Sequence, residues 1–259
     1  MIRNACARLL LVAGALQLGA CATLVSPPTV PLPSDAAAAE VAWARVLQRF
    51  VNARGEVDFV ALARDRGDLD AVVAYVAATA LESIPEGAPR LAHHINAYNA
   101  LSMYNVIDSG LSPTHAGFAK LRFFVLRRFV IGGRAMSLYS YENDVIRRLG
   151  EARVHFALNC MARSCPVLPR QPFRAATLDA DLTREALAFF ARPDNLRVDH
   201  GARVVWLNEV MRFYTEDFTA AAAPSLLDYA ARYTGQPLPR DYKVRFTPYD
   251  WSVVHVTPR

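Results

Sequence analysis

The segment from Arg153 to Leu168 holds most of the side chains in this sequence that could carry out covalent or acid–base chemistry. It contains His155 and Cys165, an imidazole and a thiol, close together along the chain. An imidazole that accepts a thiol proton generates the nucleophile of thiol-dependent hydrolases and acyl transferases. The segment therefore predicts a site in which Cys165 is the candidate nucleophile and His155 the candidate base.

Alternating apolar residues predict that the first half of this segment, Arg153 to Cys160, forms a half-buried β-strand. The alternation places Cys160 on the apolar face and Arg153 and His155 on the polar face. Pro166 cannot donate a ladder hydrogen bond and restricts the residue before it, so Cys165 lies in the turn after the strand. We expect Cys160 in the core and Arg153, His155 and Cys165 at the site.

Other interpretations of Cys160 and Cys165 remain open. A disulfide between them would close a short loop and contribute roughly 2 kcal/mol if it is unstrained. A metal site with His155 fits poorly, because the spacing of the two cysteines matches no usual zinc pattern. The last alternative is a pair of reduced, packed thiols beside a structural histidine.

Two elements are expected to complete the site. A helix over residues 89–108 places Asn96 and Asn99 on one face, where they form either a structural network or the polar wall of a binding site. Tyr98 of this helix and Arg153 are further candidate binding residues. A second helix, capped by Ser137, turns Glu142 inward, and we expect it to meet Arg153 or His155 and to orient the imidazole.

The N-terminus resembles a bacterial lipoprotein signal peptide. Arg3 and Arg8 precede an apolar run that ends in Leu18-Gly19-Ala20-Cys21. The resemblance implies cleavage after residue 20 and acylation of Cys21, which would anchor the protein in the lipid bilayer. Ala22 at the next position favours the outer membrane, facing the periplasm. A plain secretory signal and an uncleaved anchor helix are the alternatives.

The rest of the chain is predicted to be one domain on a tether. Pro27, Pro28, Pro31 and Pro33 indicate an extended segment over residues 21–39, followed by a globular domain over residues 40–259. Removal of the signal lowers the formal net charge from +5 to +3, and the arginines are scattered, which argues against nucleic-acid binding. No phosphate-binding glycine loop is present, so no nucleotide cofactor is expected.

Hairpins mixed with helices predict an α+β fold, with helices packed on one small, mostly antiparallel sheet. The first hairpin turns at Gly132-Gly133, and the second joins strands over residues 196–199 and 203–207.

Six motifs resemble those of the bacterial envelope family called domain of unknown function 547, or DUF547. They are Gly55-Glu-Val-Asp-Phe59, Ile95-Asn-Ala-Tyr-Asn-Ala-Leu101, Ser137-Leu with Glu142 and Arg147, Arg153-Val-His-Phe-Ala-Leu-Asn-Cys160, Ser164-Cys-Pro166 and Tyr249-Asp-Trp-Ser252. Asn143 departs from the histidine expected after the glutamate. The resemblance implies a papain-like or transglutaminase-like fold but little about function.

Two functions follow as expectations. The first is a non-catalytic envelope lipoprotein whose polar site, around Asn96, Asn99, Glu142, Arg153 and His155, binds a peptide or a glycan. The second is a thiol-dependent hydrolase or acyl transferase that acts on such material through Cys165, His155 and Glu142. A thiol far from the imidazole and facing no cleft would exclude the enzyme.

Overall fold

The computed structural model describes residues 22–220 and 223–256, and this part of the chain has the predicted α+β architecture. Its helices are α1 (Ala36–Phe50), α2 (Phe59–Arg64), α3 (Gly67–Ala78), α4 (Ala88–Asp108), α5 (Phe118–Leu121), α6 (Leu138–Tyr141), α7 (Leu178–Phe190), α8 (Glu209–Phe213), α9 (Thr215–Ala220) and α10 (Leu226–Ala231). Its strands are β1 (Thr23–Val25), β2 (Arg127–Ile131), β3 (Arg134–Ser137), β4 (Leu196–Asp199), β5 (Val204–Asn208) and β6 (Lys243–Thr247).

The strands form two separate three-stranded sheets, so the expectation of one mostly antiparallel sheet is wrong. Both predicted hairpins are present as the antiparallel pairs β2–β3 and β4–β5. Each gains a parallel third strand, β1 beside β2 and β6 beside β5. Parallel neighbours lie far apart in sequence and share no turn signal, which is why the hairpin pattern could not reveal them. The papain-like or transglutaminase-like arrangement stays a prediction.

Parts of the segment predicted to be a tether are packed on the domain. Thr23 pairs with Arg127, and Val25, which pairs with Phe129, is buried. Helix α1 begins at Ala36, where the side chain of Asp35 accepts a hydrogen bond from the backbone of Ala38 and caps the helix. The expectations for the signal peptide, residues 1–20, and for acylation of Cys21 lie outside the described residues.

The apolar residues bury themselves in two clusters. The larger one lies among α1, α3 and α4, where Leu47, Leu69 and Leu101 are almost completely buried. The smaller one surrounds Phe156 and contains Phe189, which packs with its ring centroid 4.8 Å from that of Phe156. We call these the first and the second core.

The predicted strand over Arg153–Cys160 is wrong, because Ala152–Phe156 forms 3₁₀ turns that lead into an irregular segment. The apolar alternation has another cause. Val154 packs into the first core, Phe156 packs into the second, and His155 between them is buried against α9. A segment that lies between two cores shows the same period-2 pattern as a strand on one core.

No helix within residues 22–220 and 223–256 is both long enough and apolar enough to cross a membrane.

Candidate functional site

The first and second cores flank a cavity of about 580 Å³. This is within the size range of small-molecule sites, roughly 300–1,000 Å³. Elements far apart in sequence form it, and its lining includes the three residues predicted to act chemically, Glu142, His155 and Cys165. The other lining residues are Tyr98, Gly117, Lys120, Leu121, Phe124, Val125, Tyr139, Asn143, Arg147, Leu158, Cys160, Pro166, Val210, Phe213, Tyr214, Tyr249 and Trp251.

Cys165 lies in the turn before Pro166, and its sulfur is surrounded by hydrogen-bond donors. The backbone N–H of Cys160 donates to Sγ at 3.2 Å, and the Tyr249 hydroxyl donates at 3.1 Å. Burial by itself raises the pKa of the Cys165 thiol, but the hydrogen bonds from Cys160 and Tyr249 outweigh burial and lower it below its ordinary value. The arrangement therefore favours a thiolate at Cys165.

Cys160 is the second thiol of the site. Its Sγ lies 2.8 Å from Sγ of Cys165, and both residues are free cysteines. The hydrogen bond to Cys165 and burial raise the pKa of Cys160 well above its ordinary value. Cys160 is packed in the first core as expected, and it also lines the cavity. The pair thus consists of a thiol donor, Cys160, and an acceptor sulfur, Cys165.

His155 is buried, and one of its nitrogens is tied to an acid that sequence reasoning missed. Nε2 lies 2.7 Å from Oδ2 of Asp217, and the ring stacks on Tyr214 with centroids 3.7 Å apart. A proton on Nε2 satisfies the carboxylate, which leaves Nδ1 as the basic nitrogen. Nδ1 is buried. His155 is therefore held in one orientation, with Nδ1 left without a hydrogen-bond partner among the described residues.

Asp217, on α9, is held in turn by Arg147. The guanidinium donates through Nε and Nη2 to the two carboxylate oxygens, each at 2.7 Å. Burial by itself raises the pKa of Asp217, but the hydrogen bonds from Arg147 and His155 hold it well below the ordinary value of 3.8. Asn143 accepts a further hydrogen bond from Arg147. Asp217 therefore stays ionised and keeps the imidazole in one orientation.

Glu142 is bound by a phenol, so the expectation that it meets Arg153 or His155 is wrong. The Tyr98 hydroxyl donates to Oε2 at 2.8 Å, and the charge of this carboxylate also acts on the nearby Tyr214 phenol. Burial raises the pKa of Tyr98 and of Tyr214 well above the ordinary value, so both phenols remain donors. Glu142 is 5% exposed and presents a buried acceptor to the cavity.

The other predicted binding residues lie away from this cavity. Asn99 bonds to the backbone of Ala157 and Asn159, which fixes the segment between His155 and Cys160. Asn96 bonds to both backbone groups of Phe173 and lines a second, smaller cavity of about 180 Å³. Of the four binding candidates, only Tyr98 lines the large cavity.

Arg153 is engaged in surface pairs. Its guanidinium binds Glu151 and Asp179 and donates to the Thr183 hydroxyl. Its ion pairs are with Glu151 and Asp179 rather than with Glu142, and it does not line the cavity. A strand would have turned Arg153 and His155 to the same face, but the 3₁₀ turns send them in different directions.

Sequence reasoning assigned no chemistry to Asp217, Tyr214 or Tyr249. Asp217 follows another acid on a short helix and looks like an ordinary exposed helix residue. Tyr249 stands in the motif Tyr249-Asp-Trp-Ser252, which was a signal of family resemblance only. Neither spacing nor periodicity connects these residues to a thiol so far away along the chain.

Comparison with known proteins identifies one similarity. Residues 85–190 match the family described as "Protein of unknown function, DUF547". The match includes Tyr98, Glu142, His155 and Cys165, whereas Asp217 and Tyr249 lie beyond it. No curated protein and no solved structure is detectably similar to this chain.

Proposed function

We propose that this chain, whose residues 85–190 form a DUF547 domain, is a thiol-dependent acyl transferase or hydrolase that acts through Cys165. The observation that carries the proposal is the Cys165 sulfur, which receives hydrogen bonds from Cys160 and Tyr249 and faces a cavity that also holds His155. A stabilised thiolate at the wall of a ligand-sized cavity is suited to nucleophilic attack.

His155 and Asp217 supply the acid–base part of the proposed reaction. His155 Nδ1 takes the Cys165 proton, and the thiolate attacks the acyl carbon to form a C–S bond. The bond to the leaving group breaks, and the leaving group takes the proton from His155. Water or another acceptor then gives its proton to His155 and attacks the thioester, and the C–S bond breaks. The released Cys165 thiolate takes the proton back from His155. Asp217 keeps the imidazole oriented throughout, as the acid does in other nucleophile–base–acid triads.

The alternative proposal is a site that binds a peptide or a glycan of the cell envelope without reacting with it. The observation that favours it is the geometry of the two candidate groups. His155 Nδ1 has no hydrogen-bond partner among the described residues, so it makes no hydrogen bond to Cys165. Catalytic hydrogen bonds often form only when substrate is bound, so acylation of Cys165 is the measurement that decides between the two proposals.

An acylation experiment separates the two proposals. Reduced protein is mixed with p-nitrophenyl acetate, and the expected result is a burst of nitrophenolate with one acetyl group on Cys165 by mass spectrometry. Cys165→Ala should abolish the burst, and His155→Asn should slow it by ~10²–10⁴-fold, the usual contribution of a general base. His93→Asn, at the smaller cavity, is the matched control and should change nothing. Binding without chemistry predicts no acetyl-cysteine at any time.

The proposed location is the outer membrane, with the domain held on its periplasmic face by an acylated Cys21. Support comes from Leu18-Gly19-Ala20-Cys21 and from β1, which begins at Thr23 and is already paired within the domain. The anchor would therefore hold the domain close to the bilayer. Mass spectrometry of protein extracted from membranes should find Cys21 as the first residue, carrying acyl chains. An unmodified Cys21, or a mature chain that begins elsewhere, would contradict this proposal.

A further inference from the structure

The cavity has one wall made of aromatic rings that are in contact with each other. This aromatic wall consists of Phe124, Phe213, Tyr249 and Trp251. Trp251 is central, with ring centroids 4.4 Å from Tyr249, 6.1 Å from Phe124 and 6.2 Å from Phe213. Tyr249 donates its hydroxyl to Cys165, so the wall begins at the nucleophile.

The aromatic wall continues to an apolar opening at the protein surface. Leu121, Val125 and Phe213 line the cavity and are 42%, 41% and 39% exposed. Phe118, one helical turn before Leu121, is 69% exposed. Of the 13 exposed large hydrophobic side chains in the described residues, four line this one cavity, namely Leu121, Val125, Tyr139 and Phe213. Scattered exposed hydrophobics are ordinary, but a cluster at a cavity opening indicates a binding site.

Another part of the cavity lining is polar. This polar wall consists of Tyr98, Glu142, His155 and Tyr214. Tyr98 donates a hydrogen bond to Glu142, and Tyr214 stacks on His155. The polar wall holds the proton-transfer groups and a buried acceptor. A leaving group with N–H or O–H donors is matched to this side of the cavity.

We infer that the acyl donor of Cys165 carries a linear apolar acyl chain, which lies along the aromatic wall and extends between Leu121, Val125 and Phe213. This inference rests on the proposed function. Lys120 is the charged residue beside this wall, with its Nζ 3.8 Å from the ring centroid of Trp251. The side chains of Leu121, Phe124, Val125 and Phe213 offer no hydrogen-bonding group, so a sugar or a peptide backbone placed against them would lose its hydrogen bonds to water without replacement. An alkyl chain loses nothing and gains the burial of apolar surface.

Esters of increasing length test the inference. With p-nitrophenyl esters from acetyl to octanoyl, kept below their micelle concentrations, kcat/KM should rise about fourfold per methylene, equivalent to about 0.8 kcal/mol, until the cavity is filled. The double variant Leu121→Ser, Val125→Ser should lower the octanoyl-to-acetyl ratio of kcat/KM by about tenfold. Leu187→Ser, an exposed leucine on α7 away from the cavity, should leave the length profile unchanged.

The outcomes separate this inference from the proposed function. Absence of an acyl group on Cys165 with every ester overturns the proposed function. An acyl-enzyme that forms on Cys165, combined with a flat or falling length profile, overturns the acyl-chain inference alone. A higher kcat/KM for an N-acetylphenylalanine ester than for the hexanoyl ester would also overturn it, since the site would then be selecting a peptide.

Discussion

Asp217 connects the orientation of the candidate base to the acid stability of the protein. Its carboxylate lies between Arg147 and His155 and holds both through short hydrogen bonds. Because these contacts lower its pKa in the folded state, Asp217 stabilises the fold at pH values above 3.8, its ordinary pKa. That stabilisation disappears as the pH falls below 3.8 towards the lowered pKa of the folded state.

Asp217→Asn should therefore have two effects. The rate of Cys165 acylation should fall by ~10²–10⁴-fold at pH 7, because the imidazole loses its orientation. Urea unfolding should show a stability deficit at pH 7 that shrinks as the pH is lowered below 4, since the wild-type carboxylate becomes protonated. Asp65→Asn, which removes a surface pair with Arg49, is the matched control and should cost less than ~1 kcal/mol at every pH. A deficit independent of pH would contradict the assignment.

The two thiols should respond differently to oxidation. With a hydroperoxide, the Cys165 thiolate takes one oxygen to give a sulfenic acid and an alcohol or water. The Cys160 thiol, 2.8 Å away, then attacks that sulfur, and water leaves as the disulfide forms. Mass spectrometry of hydrogen-peroxide-treated protein should show a loss of ~2 Da that dithiothreitol reverses.

Cys160→Ala provides the comparison for this prediction. Without the second thiol, Cys165 should proceed to sulfinic and sulfonic acids, which dithiothreitol does not reverse. The disulfide should also protect Cys165 from iodoacetamide. Equal rates of irreversible oxidation in wild type and Cys160→Ala would show that Cys160 does not resolve the sulfenic acid.

At the residue scale, the sequence was sufficient to find the candidate chemical groups but not the residues that contact them. Cys165, His155 and Glu142 were predicted to share a site, and the structure brings them to one cavity. They could be found because each is a reactive side chain at a position where the local pattern predicts something else. Glu142, for example, falls on the apolar face of its predicted helix. Asp217, Tyr214 and Tyr249 reach the site only through tertiary packing. A single acid or phenol on a short segment looks the same in the sequence whether it faces solvent or a site.

At the scale of elements, Gly55 positions the segment that follows Cys165. Its φ is +75°, and a Cβ atom there would lie 2.7 Å from Cγ1 of Val167 and 2.8 Å from the backbone nitrogen of Leu168. Only glycine allows this approach without moving the backbone of Leu168. The turn before α2 therefore packs directly against the segment after Pro166.

Gly55→Ala and Gly150→Ala form a matched pair that tests this contact. Both glycines have φ of +75°, but a Cβ at Gly150 would meet nothing within 4 Å. Gly150→Ala should cost only the left-handed strain, roughly 1–2 kcal/mol. Gly55→Ala should cost roughly 1–3 kcal/mol more in urea unfolding and change the rate of Cys165 alkylation by iodoacetamide. Equal losses for the two variants would show that the close approach is unimportant.

The elements also explain why hairpins could be predicted and the segment after Arg153 could not. The β2–β3 and β4–β5 hairpins are local, so turn residues and flanking apolar runs identify them. Ala152–Phe156 alternates because it lies between two cores, a property that depends on α7 and α9, which are elsewhere in the chain. Local alternation alone does not distinguish one buried face from two.

At the scale of the whole molecule, the two cores meet beside the cavity. Val154 belongs to the first core and Phe156 to the second, although one residue separates them. Tyr249 packs against both cores and donates to Cys165. The His155–Asp217 contact joins the same turn to α9. Separating the cores would therefore destroy the candidate site, so we expect them to unfold together.

Fluorescence of single tryptophans tests this expectation. Trp43 is buried in the first core, and Trp206 lies on β5 beside the second. In a Trp43→Phe, Trp251→Phe background, Leu47→Ala should remove ~2–5 kcal/mol from the first core. The urea midpoint seen at Trp206 should fall accordingly, because one cooperative transition transmits the loss. Val41→Ala, at an exposed position of α1, should shift it little. A Trp206 midpoint unchanged by Leu47→Ala would mean that the second core unfolds independently.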